Sequence, residues 1–263
     1  MVVAGRGNLG RSLARALHAR LVSARGAFKP PPDGIVFLAV PDEVIGELAA
    51  RVSAIDPAPA VSFVHLSGAL TLDVLAPLRG HAVGSFHPLQ SFPFPREPDA
   101  FRGITIAVDA STPALLRRLQ RLARDLGARP RRVAADERVL YHAAAVFASN
   151  FVLATFGEGV RQLERIGWSE EDATRALLPL LEGVVANIRR KGVLKSLTGP
   201  IRRGDSGTVR RHLEALDRPD LYRILGSIAL EIAREAGLDP AAAERVRRAL
   251  TRNAAATRRR LRR

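Results

Sequence analysis

Six residues near the start of the chain carry its strongest chemical signal. Gly5-Arg6-Gly7-Asn8-Leu9-Gly10 is a G-x-G-x-x-G set between an apolar run, Val2 to Ala4, and a stretch in which Leu9, Leu13 and Leu17 recur at helical spacing. Glycine has a separate duty at each of its three positions. Gly5 permits a tight turn, Gly7 lets the backbone approach a pyrophosphate at the helix N-terminus, and Gly10 allows the helix to pack closely on the strand. All six residues are therefore candidates to contact a dinucleotide. About 20 residues further on, where an NAD-binding chain places a carboxylate on the ribose 2′-hydroxyl, the sequence reads Ser23-Ala24-Arg25. A guanidinium binds phosphate through paired hydrogen bonds and stays charged, so Arg25, with Arg6 assisting, favours NADP(H) over NAD(H). The plainer alternative is a solvated Arg25 in an arginine-rich chain, since only Lys29, Lys191 and Lys195 of the 41 basic residues are lysines.

The other chemistry-bearing side chains are histidines and one polar loop. His142 is the first candidate for proton chemistry, because an imidazole near its intrinsic pKa of about 6.5 can donate to a developing alkoxide at neutral pH. A histidine satisfied by a backbone carbonyl is its competing explanation. His87 precedes Pro88 at the end of a strand, where the following loop faces a cleft, and it is a candidate substrate contact or a structural residue. The loop from Thr198 to Asp205 combines Gly199, Pro200 and Gly204 with charged groups. Thr198 and Arg203 could contact substrate, Arg203 as a two-pronged partner for a carboxylate, and Asp205 could orient Arg203 or His142. A structural turn held by an Arg–Asp pair explains the same residues equally well. His18, His81 and His212 show no H-E-x-x-H spacing and the chain has no cysteine, so no metal site is expected.

These groups need a frame, and 263 residues suffice for one to two domains. Short β-rich runs alternate with helical patterns in the first half: Val2 to Ala4, Leu21 to Ala24, Ile35 to Val40, Val61 to Leu66, His81 to Phe86, Ile104 to Val108 and Arg131 to Ala134. After Asp136 only helical patterns remain, over Glu137 to Ile166, Ser169 to Lys191, Thr208 to Leu216, Leu221 to Ala236 and Pro240 to Arg258. The expected fold is an α/β Rossmann-like N-terminal domain with a parallel sheet, residues 1–135, followed by an all-α substrate and dimerisation domain, residues 136–257. A basic tail closes the chain at 258–263. The first strand is short for a strand at a sheet centre, which points to a start codon further upstream. Net charge is +15, but residues 1–109 hold ten basic against nine acidic groups, and the last 23 residues hold nine arginines against Glu244. The pI is thus largely a property of the tail. That tail could bind a phosphate backbone by counterion release, yet no recognition helix or aromatic platform accompanies it, and nucleic-acid binding is not expected. No apolar run reaches the roughly 20 residues of a membrane span, and the chain reads as cytoplasmic.

Several segments together resemble one family: Phe37-Leu38-Ala39-Val40-Pro41-Asp42, Val64-His65-Leu66-Ser67-Gly68-Ala69, Gly84 to Phe92, Tyr141 to Phe151 and Leu197 to Asp205. The chain is similar to predicted oxidoreductases that join a Rossmann-like domain to "domain of unknown function 2520", within the wider β-hydroxyacid dehydrogenase relatives such as ketopantoate reductase. The resemblance implies hydride transfer with NADP(H), a helical domain like that of 6-phosphogluconate dehydrogenase, and a homodimer packed through it. Val40 and Pro41 are further candidates to contact the cofactor, and Ser67 and Gly68, which follow a strand, to line its nicotinamide side. Ketopantoate and 6-phosphogluconate enzymes use a Lys and then an Asn four positions later. With Asn150 in the Asn place, the Lys place falls on Val146, which cannot donate a proton. His142, two helical turns before Asn150, then becomes the acid/base, and Asn150 an orienting donor. The expected reaction is reduction of a small carbonyl or imino acid, with a 2-oxo acid such as ketopantoate as first guess. The alternatives are a non-catalytic NADP-binding sensor and a nucleic-acid binder acting through its tail.

Overall fold

A computed structural model of the chain describes residues 1–26 and 28–252. Seven strands form one sheet: β1 (Val2–Ala4), β2 (Arg20–Val22), β3 (Gly34–Leu38), β4 (Val61–His65), β5 (Val83–Pro88), β6 (Thr105–Ala110) and β7 (Arg129–Arg132). Their order is β2-β1-β3-β4-β5-β6-β7, and every neighbouring pair is parallel except β5 with β6. The exception follows from the connection. A parallel return needs a crossover, usually a helix, whereas the segment between β5 and β6 contains Pro93, Pro95 and Pro98 and forms only a single 3-10 turn, Pro98–Phe101. Each of the seven expected strands is present, displaced by a few residues at most.

Helices α1 (Asn8–Ala16) and α3 (Pro113–Asp125) cover one face of the sheet, and α2 (Asp42–Ser53) with a 3-10 stretch at Leu72–Leu78 covers the other. The inner strands are apolar at consecutive positions because both faces are buried. In β3, Ile35 and Phe37 enter the core beneath α1 and α3, while Val36 and Leu38 enter the core beneath α2.

The chain divides into two compact units, Met1–Val152 and the part from Leu153 onward. The expected boundary after residue 135 thus falls 17 residues later. The cause is α4 (Arg138–Ala148), whose first residue is fully buried and donates hydrogen bonds to the Ser67 carbonyl and the Ser85 hydroxyl of the sheet unit. The helix expected over Glu137 to Ile166 is also interrupted. Ser149 leaves helical geometry (φ −127°, ψ −76°) with its hydroxyl donating back to the Ala145 carbonyl at 2.7 Å, and α5 (Asn150–Glu164) begins after it.

In the second unit follow α6 (Glu170–Lys191), α7 (Gly199–Arg202), α8 (Ser206–Ala215), α9 (Pro219–Glu235) and α10 (Pro240–Thr251). Ser169 caps α6 by accepting from the Asp172 amide at 3.1 Å, and Glu170, Glu171 and Asp172 sit where the helix dipole favours them. The unit's core gathers Ile201, Val209, Leu230, Ala233, Val246 and Leu250 from α7 to α10. α6 buries only Ala173 and leaves much of its apolar surface exposed. The short α7 has no counterpart among the expected helices. The basic tail at 258–263, and the end of the helix expected to reach Arg258, lie outside the described residues.

Candidate cofactor and proton-transfer site

β1 is flanked by β2 on one side and β3 on the other, so the chain reverses its direction of winding there, where ligands of open α/β sheets bind. The glycine loop emerges at this point. Gly5 has φ +134°, donates its N–H to the Val22 carbonyl at 3.0 Å, and a Cβ on it would lie 2.0 Å from the Ala39 carbonyl oxygen. No other residue fits between the ends of β2 and β3. A Cβ at Gly10 would lie 2.2 Å from the Gly5 oxygen, so that glycine sets the contact between α1 and the loop. Gly7 caps α1 with nothing within 4 Å of where a Cβ would be, and neither a side-chain cap nor an acid lies in the first turn. The amides at this helix end are therefore open donors, which is the arrangement a pyrophosphate fits.

The other loop residues hold the loop itself. Asn8 donates its side-chain N–H to the Pro93 carbonyl (2.8 Å), Leu9 packs against the core, and the carbonyl of exposed Arg6 accepts from Arg11 Nε (2.8 Å). Ser12 Oγ donates to the Asn8 carbonyl and accepts from the Arg96 amide, pinning the proline loop to α1.

Arg25 is exposed after β2 and lines a cavity of ≈410 Å³ with Gly26, Phe28, Leu48, Arg51, Val52 and Ile55. Arg51, which sequence reasoning did not single out, reaches from α2 to donate to the Ala24 carbonyl. The cavity thus pairs two guanidinium groups with an apolar wall. Val40 packs against the core and Pro41 begins α2. Ser67 has its hydroxyl fully engaged, donating to Asp42 Oδ2 at 2.6 Å and accepting from the Ala69 and Leu70 amides.

Next to Ser67, β4, β5 and α4 bring together a cluster of imidazoles. A Cβ at Gly68 would lie 2.8 Å from His87 Cε1, 2.9 Å from His87 Nε2 and 2.9 Å from His142 Cδ2, so any larger residue there would have to push a ring aside. The rings of His87 and His142 have centroids 6.2 Å apart. His87 Nδ1 is 2.8 Å from the Tyr141 hydroxyl. Burial, then the charges of His142 and Arg138, push the His87 pKa down to about 4. Burial raises the Tyr141 phenol to about 12. Behind them His65 is fully buried, with no close hydrogen bond on either ring nitrogen among the described residues; burial, Arg138 and His87 lower its pKa to about 3 against a small opposing contribution from the Thr71 backbone. At neutral pH His65 and His87 are neutral, and Tyr141 keeps its proton.

The predicted pairing of His142 with Asn150 does not hold as drawn. It required one continuous helix, and the break at Ser149 removes the two-turn relation; Asn150 is exposed at the start of α5, its Oδ1 2.9 Å from the oxygen of the Ser149 hydroxyl. Asp205 is also placed differently. Both its oxygens are engaged by Thr208, Oδ1 with the amide (2.9 Å) and Oδ2 with the hydroxyl (2.7 Å), as the N-cap of α8. Those bonds hold its carboxyl below the ordinary range, with the charge of Arg203 the smallest contribution. Thr198 precedes α7 without a side-chain cap bond, and Arg203 closes that helix. Among the described residues no group of three or more His, Asp or Glu side chains could hold a metal ion.

With this geometry in hand, the chain can be compared with known proteins. Residues 104–231 match the family described as "Domain of unknown function (DUF2520)". Among solved structures, a protein from Thermotoga maritima is 25% identical over 89% of this chain and 98% of its own, with a TM-score of 0.72. A Bacteroides fragilis protein proposed to be an NADP oxidoreductase is 22% identical over 89% of this chain and 96% of its own, with a TM-score of 0.68. Pyrroline carboxylate reductase from Plasmodium falciparum, solved with NADP bound, is 12% identical over 95% of this chain and 99% of its own, with a TM-score of 0.58. No curated protein matches the sequence. The fold is Rossmann-like with a helical C-terminal region.

Proposed function

We propose that the protein is an NADP(H)-dependent oxidoreductase that reduces a small carbonyl or imino acid. One observation carries the reading: an uncapped helix N-terminus behind Gly5 and Gly10 at the sheet's switch point, in the same compact unit as the imidazoles at Gly68. The open amides of α1 would hold the pyrophosphate, and Arg25 with Arg51 would face the 2′-phosphate. Reduced nicotinamide supplies a hydride when bound. His142, half-buried against Gly68, is the group we assign to protonate the substrate oxygen. The bacterial and Plasmodium structures of the same fold, described as NADP oxidoreductase and NADP-bound reductase, support the cofactor. A 2-oxo acid such as ketopantoate remains the first substrate to try, and the cytoplasm the proposed location.

The test is oxidation of NADPH against a panel of 2-oxo acids and cyclic imines, with NADH in parallel. Turnover that prefers NADPH is expected, and Arg25→Ala lowers the NADPH-to-NADH preference about 10- to 100-fold, the value of one charge-assisted contact. An unchanged preference would overturn the role of Arg25. NADPH binding without reduction of any carbonyl would favour the sensor.

We further propose that the protein works as a homodimer joined through its helical unit. Leu180, Val185 and Ile188 on α6 and Ile224 and Ile228 on α9 are each more than 40% exposed, far more apolar surface than a stable monomer displays. Lipid is a poorer occupant than a second copy. Among the described residues only the run 135–164 is long and apolar enough to cross a membrane, and neither α6 nor α9 belongs to it. Light scattering is expected to give twice the 28.4 kDa chain mass, and Val185→Asp to shift the protein to monomer; a monomeric wild type refutes the dimer.

A further inference from the structure

We infer that Tyr141 is a positioning residue that fixes His87 in one tautomer, making its Nε2–H a standing neutral hydrogen-bond donor for a carbonyl or carboxylate oxygen of the substrate. The inference rests on the reductase reading for the identity of that substrate, but not for the tautomer itself.

The geometry supplies the argument. Tyr141 OH and His87 Nδ1 are 2.8 Å apart, and the two rings stand nearly perpendicular at 89°. A phenol is a stronger acid than the N–H of a neutral imidazole, and an imidazole lone pair is a stronger base than a phenol oxygen. The hydroxyl therefore donates to Nδ1, and a neutral imidazole then carries its single proton on Nε2. Among the described residues Nε2 has no hydrogen-bond partner; unlike both nitrogens of His65, it is not sealed from the surroundings. It lies against Gly68, the residue whose missing side chain admits both rings. Of the two imidazoles touching that glycine, His87 brings a nitrogen to it and His142 brings the carbon Cδ2.

The two charged groups that act on His87 both oppose a second proton on it. Arg138 and His142 add positive charge, and His65 lies behind in the same buried layer. Asp109, the nearby carboxylate acting on Arg138, is itself bonded to Arg132 at 3.2 Å. His87 thus offers a hydrogen bond without offering a cation. That makes it complementary to His142, which delivers the proton while Nε2–H remains bonded to His87 throughout.

The decisive experiment is side-chain nitrogen NMR on the cofactor-free protein, with His87→Gln used to assign the resonance. The expected result is a neutral imidazole at pH 7 with Nδ1 unprotonated, and loss of that single tautomer in Tyr141→Phe. A proton on Nδ1, or a cationic ring at pH 7, would overturn the inference whether or not the protein reduces anything. The kinetic arm uses whichever carbonyl acid the panel identifies. Tyr141→Phe should lower kcat/KM about 10-fold or more, and His87→Leu about 100-fold, comparable to removing one oxyanion donor. In the His87→Gln background, where the amide N–H donates without needing a tautomer, Tyr141→Phe should cost nothing further. Equal losses in both backgrounds would mean that Tyr141 acts only through packing.

Discussion

Arg138→Ala is expected to lower the free energy of unfolding by about 3–5 kcal/mol, a range set by large cavities in packed cores and by hydrogen bonds lost with them. Arg138 is among the largest fully buried side chains of the described residues, reaching from the start of α4 to Ser67 just after β4 and Ser85 within β5. Its Nη1 donates to the Ser67 carbonyl at 3.3 Å and its Nη2 to the Ser85 hydroxyl, while Nε has no partner among the described residues. Among the described residues no carboxylate pairs with it directly, and burial lowers its pKa, although a guanidinium remains charged. Truncation opens a cavity and leaves the Ser85 hydroxyl without its partner. Arg138→Met separates volume from charge. Filling the space without the uncompensated cation should recover part of the loss, since apolar replacements of buried ions are often tolerated. Urea unfolding of the two variants checks this. A loss below about 1 kcal/mol in Arg138→Ala, less than a single buried hydrogen bond and its cavity, would show that α4 is held by other contacts.

Acid should destabilise the sheet unit, and His65 should account for about half of the effect. An unfolded chain protonates its histidines near pH 6.5, whereas burial and the Arg138 charge hold His65 to about 3 and His87 to about 4 in the folded protein. Above pH 6.5 both states are neutral and the two residues add no pH dependence. Below it the unfolded chain binds protons that the folded chain refuses, so stability falls with pH by about 1.4 kcal/mol per unit for each histidine. The decline continues to about pH 4 for His87 and about pH 3 for His65. His65→Leu should change stability at pH 7 little, because among the described residues neither ring nitrogen has a close hydrogen bond to lose and the Thr71 backbone is only a weak neighbour. It should halve the slope of unfolding free energy between pH 6 and 4.5. An unaltered slope would mean that His65 does not stay neutral in the folded state.

The layout of the sheet unit was legible in the residues. Its inner strands, such as β3, β4 and β6, are runs rich in β-branched and aromatic residues, and such runs pair with neighbours whichever fold they enter. The glycine loop was legible for a related reason: each glycine meets a local steric demand, set by the Ala39 carbonyl for Gly5 and by the Gly5 oxygen for Gly10. The helix break at Ser149 left a fainter mark, since Ser149-Asn150 is a pair of helix-capping residue types inside a helical run. Arg138 left one too. A cation in the first turn of a helix opposes the helix dipole, and only a contact elsewhere explains it.

What the sequence determined by itself is therefore the set of local properties: strand runs, helix stripes, caps, the phosphate-binding loop and the lack of an acid after β2. What only the tertiary structure decided is which distant residues meet. Arg138 finds Ser67 and Ser85 across 71 and 53 positions, and Tyr141 finds His87 across 54. Neither spacing has a period, and the faint mark that Arg138 leaves at the start of its helix does not say which residues it meets. The neutrality of His65 and His87 comes from the same source. It arises from burial and from a guanidinium brought beside them by folding, and a linear sequence contains neither the dielectric nor the distance.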